Sequence, residues 1–184
     1  SRTKTVYFVY SGEVMLYNLT KHGNRKVIFI LGKGRLLNQS IVSKKPNALF
    51  CEAACPVRVI EIAEEQFLHL MEQSHALTRA VLREYERNLW RMGHQLKNTT
   101  GNMQMERKIA AKLWKLGRDF GVDTEDGVMI DIDLTITLMA DLVGAPRENV
   151  SRACKVLTDR GLIRYGNKRF TLADSDGLAE FYKM

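Results

Sequence analysis

The chain has 184 residues, enough for one generous domain or two small ones. Its 45% apolar and 27% charged residues exclude a disordered or fibrous chain. The longest apolar stretch, residues 27–31, falls far short of the roughly 20 residues a membrane-spanning helix needs, and the net charge of +7 favours polyanionic partners.

The sequence opens at Ser1 with Arg2 and Lys4 and no apolar run behind them, so no secretory signal is expected. Ser1 in the place of a starting methionine implies further native residues upstream. Cys51, Cys55 and Cys154 are odd in number and irregular in spacing, which fits a reducing cytoplasm better than a disulfide scaffold.

Short β-rich runs come first, at residues 6–10, 13–19, 26–31, 48–53 and 57–62, with breakers at Ser11-Gly12, His22-Gly23-Asn24, residues 32–34 and Pro56. Without intervening helices to carry parallel crossovers, these strands imply an antiparallel sandwich or small barrel. Phe67, Leu70 and Met71 then suit a short helix, and Ser74 can cap a longer one. Along that helix Leu77, Val81, Tyr85, Leu89, Met92 and Leu96 recur at spacings of four and three, while Arg83, Glu84, Glu86, Arg87 and Arg91 point elsewhere. Such a stripe either packs on its own barrel or forms a coiled-coil-like seam with a second copy; length and the polar remainder favour the dimer.

A hinge is expected at residues 98–102, followed by a basic helix over residues 107–118 with Ile109, Leu113 and Leu116 as its apolar face. After a loop at 121–127 come a strand at 128–132, two helical patterns around Gly144, and a hairpin over 162–172 interrupted at Tyr165-Gly166-Asn167. Three parts result: a sensor domain over residues 1–73, a dimerisation helix and hinge over 74–103, and a winged helix over 104–184. No internal repeat or low-complexity tract is present.

The segment TITLMADLVGAPRENVSRACKVLTD, residues 135–159, satisfies the steric demands of a helix-turn-helix. Ala140 lets two helices approach, Gly144 permits the tight turn and Val150 plugs the interface. Arg147, Glu148, Asn149, Ser151 and Arg152 lie in the first two turns of the second helix, the part that reaches base edges in the major groove. Arginine can donate twice to guanine and glutamate can accept from cytosine N4. Thr135, Thr137, Lys155, Arg160, Lys168 and Arg169 are candidates for phosphate contact.

The run PRENVSRACKVLTDRGLIRYGNKRFTL, residues 146–172, and VYFVYSGEVMLY, residues 6–17, with the turn at 32–34, together resemble the transcription regulators typified by the cyclic-AMP receptor protein and FNR. The resemblance spans nearly the whole chain. It implies an α+β protein: an antiparallel β-roll incomplete at its N-terminus, a long dimerisation helix and a C-terminal winged helix-turn-helix. It also implies a homodimer on double-stranded DNA controlled by a small-molecule effector, with RNA polymerase as a further partner. Arg147, Glu148 and Arg152 fall where the family's base-reading residues fall, and Ser151 where FNR-like members also use serine.

The sensor departs from the cyclic-AMP pattern. Members that bind that nucleotide carry a Gly-Glu pair for the ribose and an Arg-Ser pair for the phosphate. The stretch GRLLNQSIVSKKPNALF, residues 34–50, has Asn38-Gln39 and Asn47-Ala48 instead. Their hydroxyl pair on the dimer helix falls at Met92-Gly93. These differences argue against cyclic AMP and leave Gln39, Asn47, Tyr85 and Met92 as the candidate effector pocket, with Lys44 and Lys45 able to bind another anion. Three cysteines cannot supply four iron–sulfur ligands; Cys51 and Cys55, ~13 Å apart in a straight strand, read as small buried hydrophobes. His22, His69, His75 and His94 show no metal-ligand spacing, so no metal or cluster is expected.

Two competing classes remain. A metal-dependent cupin-like enzyme needs a cluster of inward histidines and carboxylates, and the strands carry no histidine outside the turn residue His22. A ligand-binding module acting on a protein partner through its winged helix lacks the salt-dependent retention on DNA that phosphate binding gives.

Overall fold

The structure, a computed structural model, describes residues 4–21, 23–43, 45–99 and 103–183. His22, Lys44 and residues 100–102 of the expected hinge lie outside them. The chain divides into two compact units, Ser1–Lys97 and Asn98–Met184, and is α+β.

In the first unit β1 (Thr5–Ser11) pairs antiparallel with β5 (Arg58–Ala63), and β2 (Val14–Leu19) lies between β3 (Arg25–Leu31) and β4 (Phe50–Ala53). Residues two apart share a face of a strand. Val14 and Leu16 of β2 and Phe29 and Leu31 of β3 accordingly bury one core with Val9 and Leu37. The free edge of β1 is occupied by residues 34–38: Val9 N–H donates to Arg35 O and Leu37 N–H to Tyr7 O, both at 2.9 Å. Asn38 extends this ladder with its side chain, accepting from Tyr7 N at 2.8 Å and donating to Thr5 O at 2.9 Å. A buried amide that would otherwise be costly is thereby satisfied.

Helix α1 (Glu64–Gln73) and helix α2 (His75–Thr99) follow β5. Ser74 between them caps α2 by accepting from Leu77 N at 3.3 Å. Phe67 of α1 and Val81 of α2 join Val6, Leu36 and Ile41 in a second core, with Leu77 and Tyr85 packed against it. This corrects the expected seam. Val81 is 5% exposed and Leu77 half-buried, so both spend their apolar surface on the roll of the same chain. The apolar surface that α2 leaves open is rotated round the helix: Leu82, Leu89, Met92 and Leu96 are 56, 72, 47 and 62% exposed. Glu84, expected to point away, faces the roll instead, paired with Arg35 at 2.8 Å.

Cys51 is exposed and Cys55 half-buried, so neither is the small buried hydrophobe expected. Cys55 donates its thiol proton to Glu13 Oε2 at 2.9 Å and accepts from Glu13 N at 3.3 Å. Glu13 is thereby tied to the turn before β5.

The second unit opens with α3 (Met105–Phe120), whose Ile109, Leu113 and Leu116 are buried as expected. Next come β6 (Gly121–Thr124), β7 (Gly127–Ile130), α4 (Ile136–Val143), α5 (Arg147–Asp159), β8 (Ile163–Gly166), β9 (Arg169–Leu172) and α6 (Ser175–Lys183). The strands form one antiparallel sheet in the order β6-β7-β9-β8. The expected loop at 121–127 is therefore half of a hairpin, and the wing hairpin extends a four-stranded sheet. Helix α6, absent from the sequence reading, is capped by Asp174, which accepts from Gly177 N at 2.8 Å, and it buries Leu178 beneath α3.

Candidate DNA-binding surface and effector face

Helix α4 starts at Thr135, whose hydroxyl accepts from Leu138 N at 3.1 Å. It ends at Gly144, which adopts the left-handed conformation (φ 71°, ψ 48°) and donates its N–H to Ala140 O. Glycine is needed there because a Cβ is strained at positive φ. Two residues later Pro146 fixes the start of α5, and Val150, fully buried, fills the space beside Ala140. The turn and the packing together set the two helices as a helix-turn-helix.

At about 100° per residue, Val150, Ala153, Cys154 and Leu157 share the buried side of α5. Arg147, Glu148, Ser151, Arg152 and Lys155 occupy an exposed arc about 140° wide on the other side. Burial pushes the Cys154 thiol up from 9.0 to about 11, so it is an inert filler. Asn149 is half-buried on the shoulder of the arc, and its Oδ1 accepts from Arg152 Nη2 at 2.5 Å. Among the described residues Glu148 has no hydrogen-bond or ion-pair partner.

The wing turns at Asn167 and Lys168, both at positive φ (51° and 60°), the geometry of a tight two-residue hairpin. Lys168 is exposed, and its carbonyl accepts from Leu134 N at 2.7 Å, which ties the wing tip to the start of α4. Arg169 is held by Asp131 at 2.6 Å, and Arg164 is paired with Asp126. The charge excess lies outside this unit. Residues 98–184 hold 13 Lys/Arg and 13 Asp/Glu, so the whole +7 belongs to residues 1–97. Any attraction of this unit for phosphate rests on where its cations stand.

On the sensor side, Gln39 and Asn47 are occupied with the loop that carries them. Asn47 Oδ1 accepts from Gln39 N at 3.0 Å, Gln39 Oε1 accepts from Leu49 N at 3.1 Å, and Gln39 Nε2 donates to Leu37 O at 3.0 Å. Tyr85 directs its hydroxyl at Asn38 O, 3.5 Å away, and burial raises its pKa. Met92 is on the exposed side of α2. The polar residues that α2 turns to the roll beside Val81 and Tyr85 are Glu84, Asn88, Arg91 and Gln95: Gln95 donates to Ile28 O at 3.3 Å. Glu84 Oε1 and Asn88 Oδ1 are buried oxygens without a partner among the described residues. Sequence reading missed this polar face because its members alternate with the apolar stripe at the same helical spacing.

Residues 1–74 match the family model of the cyclic nucleotide-binding domain, and residues 107–181 match that of the Crp-like helix-turn-helix domain. The chain belongs to the cyclic-AMP receptor protein/FNR family of transcription regulators. It is 25% identical to a CRP-like cAMP-activated global transcriptional regulator of Mycobacterium tuberculosis, over 95% of this chain and 78% of that one. With the global nitrogen regulator of a Nostoc species it shares 24% identity over 91% of this chain and 76% of the other. The structure of FixK2 from Bradyrhizobium japonicum superposes with a TM-score of 0.82 at 20% identity, covering 98% of this chain and 88% of FixK2. A CooA variant from Carboxydothermus hydrogenoformans reaches 0.81 at 19% identity, covering 97% and 78%.

As a member of this family the chain is a DNA-binding regulator with a sensor domain of the cyclic nucleotide-binding type. Among the described residues no cluster of His, Cys, Asp or Glu could hold a metal ion, and no helix is long and apolar enough to cross a membrane.

Proposed function

We propose that the protein is a cytoplasmic homodimer that reads an inverted repeat, with α5 as the recognition helix. The observation that carries this reading is the arc of Arg147, Glu148, Ser151, Arg152 and Lys155 on the exposed side of α5, opposite the side packed into the helix-turn-helix. Arg152 reads a guanine and Glu148 accepts from the cytosine paired with it. Arg147 reads a further guanine, in half-sites with a TGTGA-like or TTGA-like core. Thr137, Lys155 and Lys168, all exposed, contact phosphates on either side, with Thr135 and Arg169 beside them. Two such helices related by a two-fold axis enter successive major grooves about 34 Å apart. The open face of α2, with Leu82, Leu89 and Leu96 seven residues apart, supplies the dimer contact.

A small-molecule effector controls binding from the α2 side of the roll. Cyclic AMP, named for the mycobacterial relative, does not fit, because Gln39 and Asn47 are bonded into their loop and neither Asn47 nor Ala48 carries a cation for a phosphate. RNA polymerase is the expected protein partner on promoters. Selection from a random duplex pool tests the reading. Recovery of an inverted repeat whose half-site preference changes in Arg152→Ala supports it, and an unchanged preference at every position overturns the assignment of α5.

A further inference from the structure

An arginine on a helix surface has many rotamers, and the base pair it meets selects one. Long helical side chains lean toward the N-terminal turn, so the guanidinium of Arg152 passes over positions 148 and 149. Two acceptors wait there. Glu148, four residues back, is placed for the ion pair that opposite charges form at this spacing. Asn149, three residues back, offers a neutral amide oxygen. The structure shows the second arrangement: Arg152 Nη2 donates to Asn149 Oδ1 at 2.5 Å, and Glu148 is left without a partner among the described residues.

This choice has a chemical consequence at the DNA. An Arg152–Glu148 pair would withdraw both groups proposed to read the same base pair, the arginine from guanine and the carboxylate from cytosine. With Asn149 taking one N–H of a guanidinium that has five, the remaining donors still form the fork that matches guanine O6 and N7. Asn149 itself lies about 60° beyond the exposed arc, half-buried on the shoulder toward the helix-turn-helix core, where a short side chain is poorly placed to reach a base edge.

The geometry points to Asn149 as a positioning residue that reads no base, but holds Arg152 off Glu148 so that both remain available to one base pair. This inference rests on the assignment of α5 as the reading helix, and it replaces the base-reading role that the sequence alone gives Asn149.

The test measures binding of the full chain to its selected site and to the same site altered at the Arg152 base pair, for wild type, Asn149→Ala, Asn149→Asp, Arg152→Ala and the double variant Asn149→Ala/Arg152→Ala. Asn149→Ala is expected to lower discrimination at that base pair about five- to tenfold, as loss of one exposed side-chain hydrogen bond of ordinary strength implies, and to leave other positions unchanged. In the Arg152→Ala background the same substitution should have no further effect. Asn149→Asp keeps an acceptor at the same place. As a carboxylate it should pair with Arg152 outright, lowering discrimination at the same base pair as a Glu148 pair would, while weakening binding to every sequence through repulsion from the phosphates.

Asn149→Ala shifting the preference at a different base pair would make Asn149 a reader and overturn the inference. So would wild-type discrimination in Asn149→Ala, or an equal loss with and without Arg152. Arg152→Ala with wild-type preference would instead remove the assignment of α5, a failure separable from that of Asn149.

Discussion

At Leu89, 72% exposed on α2, an aspartate removes an apolar side chain that the described residues leave largely uncovered. Burying a leucine fully contributes roughly 1.5–3 kcal/mol, so the exposed share of this one is about 1–2 kcal/mol. A two-fold interface counts it twice, or ~2–4 kcal/mol, and two carboxylates brought together near the axis add repulsion. At 1.4 kcal/mol per tenfold, the dimer of Leu89→Asp should dissociate roughly 30- to 1,000-fold more readily. Sedimentation velocity over a range of concentrations reads this directly. Val81→Ala is the contrasting variant: Val81 lies in the roll's own core, so it should lower thermal stability by about 1–3 kcal/mol and leave the association constant as it was. An unchanged dimer in Leu89→Asp, or monomers from Val81→Ala with the fold intact, would refute the division of α2 into an inward and an outward face.

Four further outcomes are expected. Lys168→Ala should weaken binding to all sequences alike and reduce the slope of log affinity against log salt by about one, as filter binding across a salt series would show. Calorimetry with cyclic AMP should give no heat of binding in the micromolar range; tight binding coupled to higher DNA affinity would show that the sensor is misread. Gly144→Val places a β-branched residue at φ 71° and should cost about 1–3 kcal/mol in chemical denaturation, with DNA binding lost alongside. Cys154 should resist iodoacetamide at pH 8 while exposed Cys51 reacts. Its thiol ionises at about 11 when folded and at 9.0 ordinarily. The stability this lends is complete below pH 9 and is lost as pH rises from 9 toward 11, so labelling of Cys154 and unfolding should advance together in that window.

The strands were legible as short β-rich runs between turn signals, and Val14 to Leu16 and Phe29 to Leu31 are buried without a break. The helix-turn-helix was legible because Ala140, Gly144 and Val150 each answer a steric demand that few residues meet. β6 was not, since its four residues are all exposed and no burial writes a pattern into them. Helix α6 did carry a signal, Asp174 as cap with Leu178 and Phe181 three residues apart, but it is short. The stripe on α2 misled for a geometric reason: spacings of three and four fit both a face that meets the roll and a neighbouring one that does not. Periodicity cannot apportion Leu77 and Leu89 between them. Gln39 and Asn47 stand where a nucleotide's partners would be, but their amides close the loop through bonds to backbone ten or fewer residues away, which no spacing in the sequence marks.

The even balance of charge in residues 98–184 bears on how many copies of this regulator a cell needs. Affinity for random duplex comes almost wholly from phosphate neutralisation, so in a unit of balanced charge it rests on the few cations that face the DNA, Lys155 and Lys168 among them. An operator competes with on the order of 10⁶–10⁹ other positions, each of which can sequester a strongly basic reader. The fewer such contacts a reader makes, the poorer a sink the bulk chromosome is for it. A given occupancy of the operator is then reached with fewer molecules.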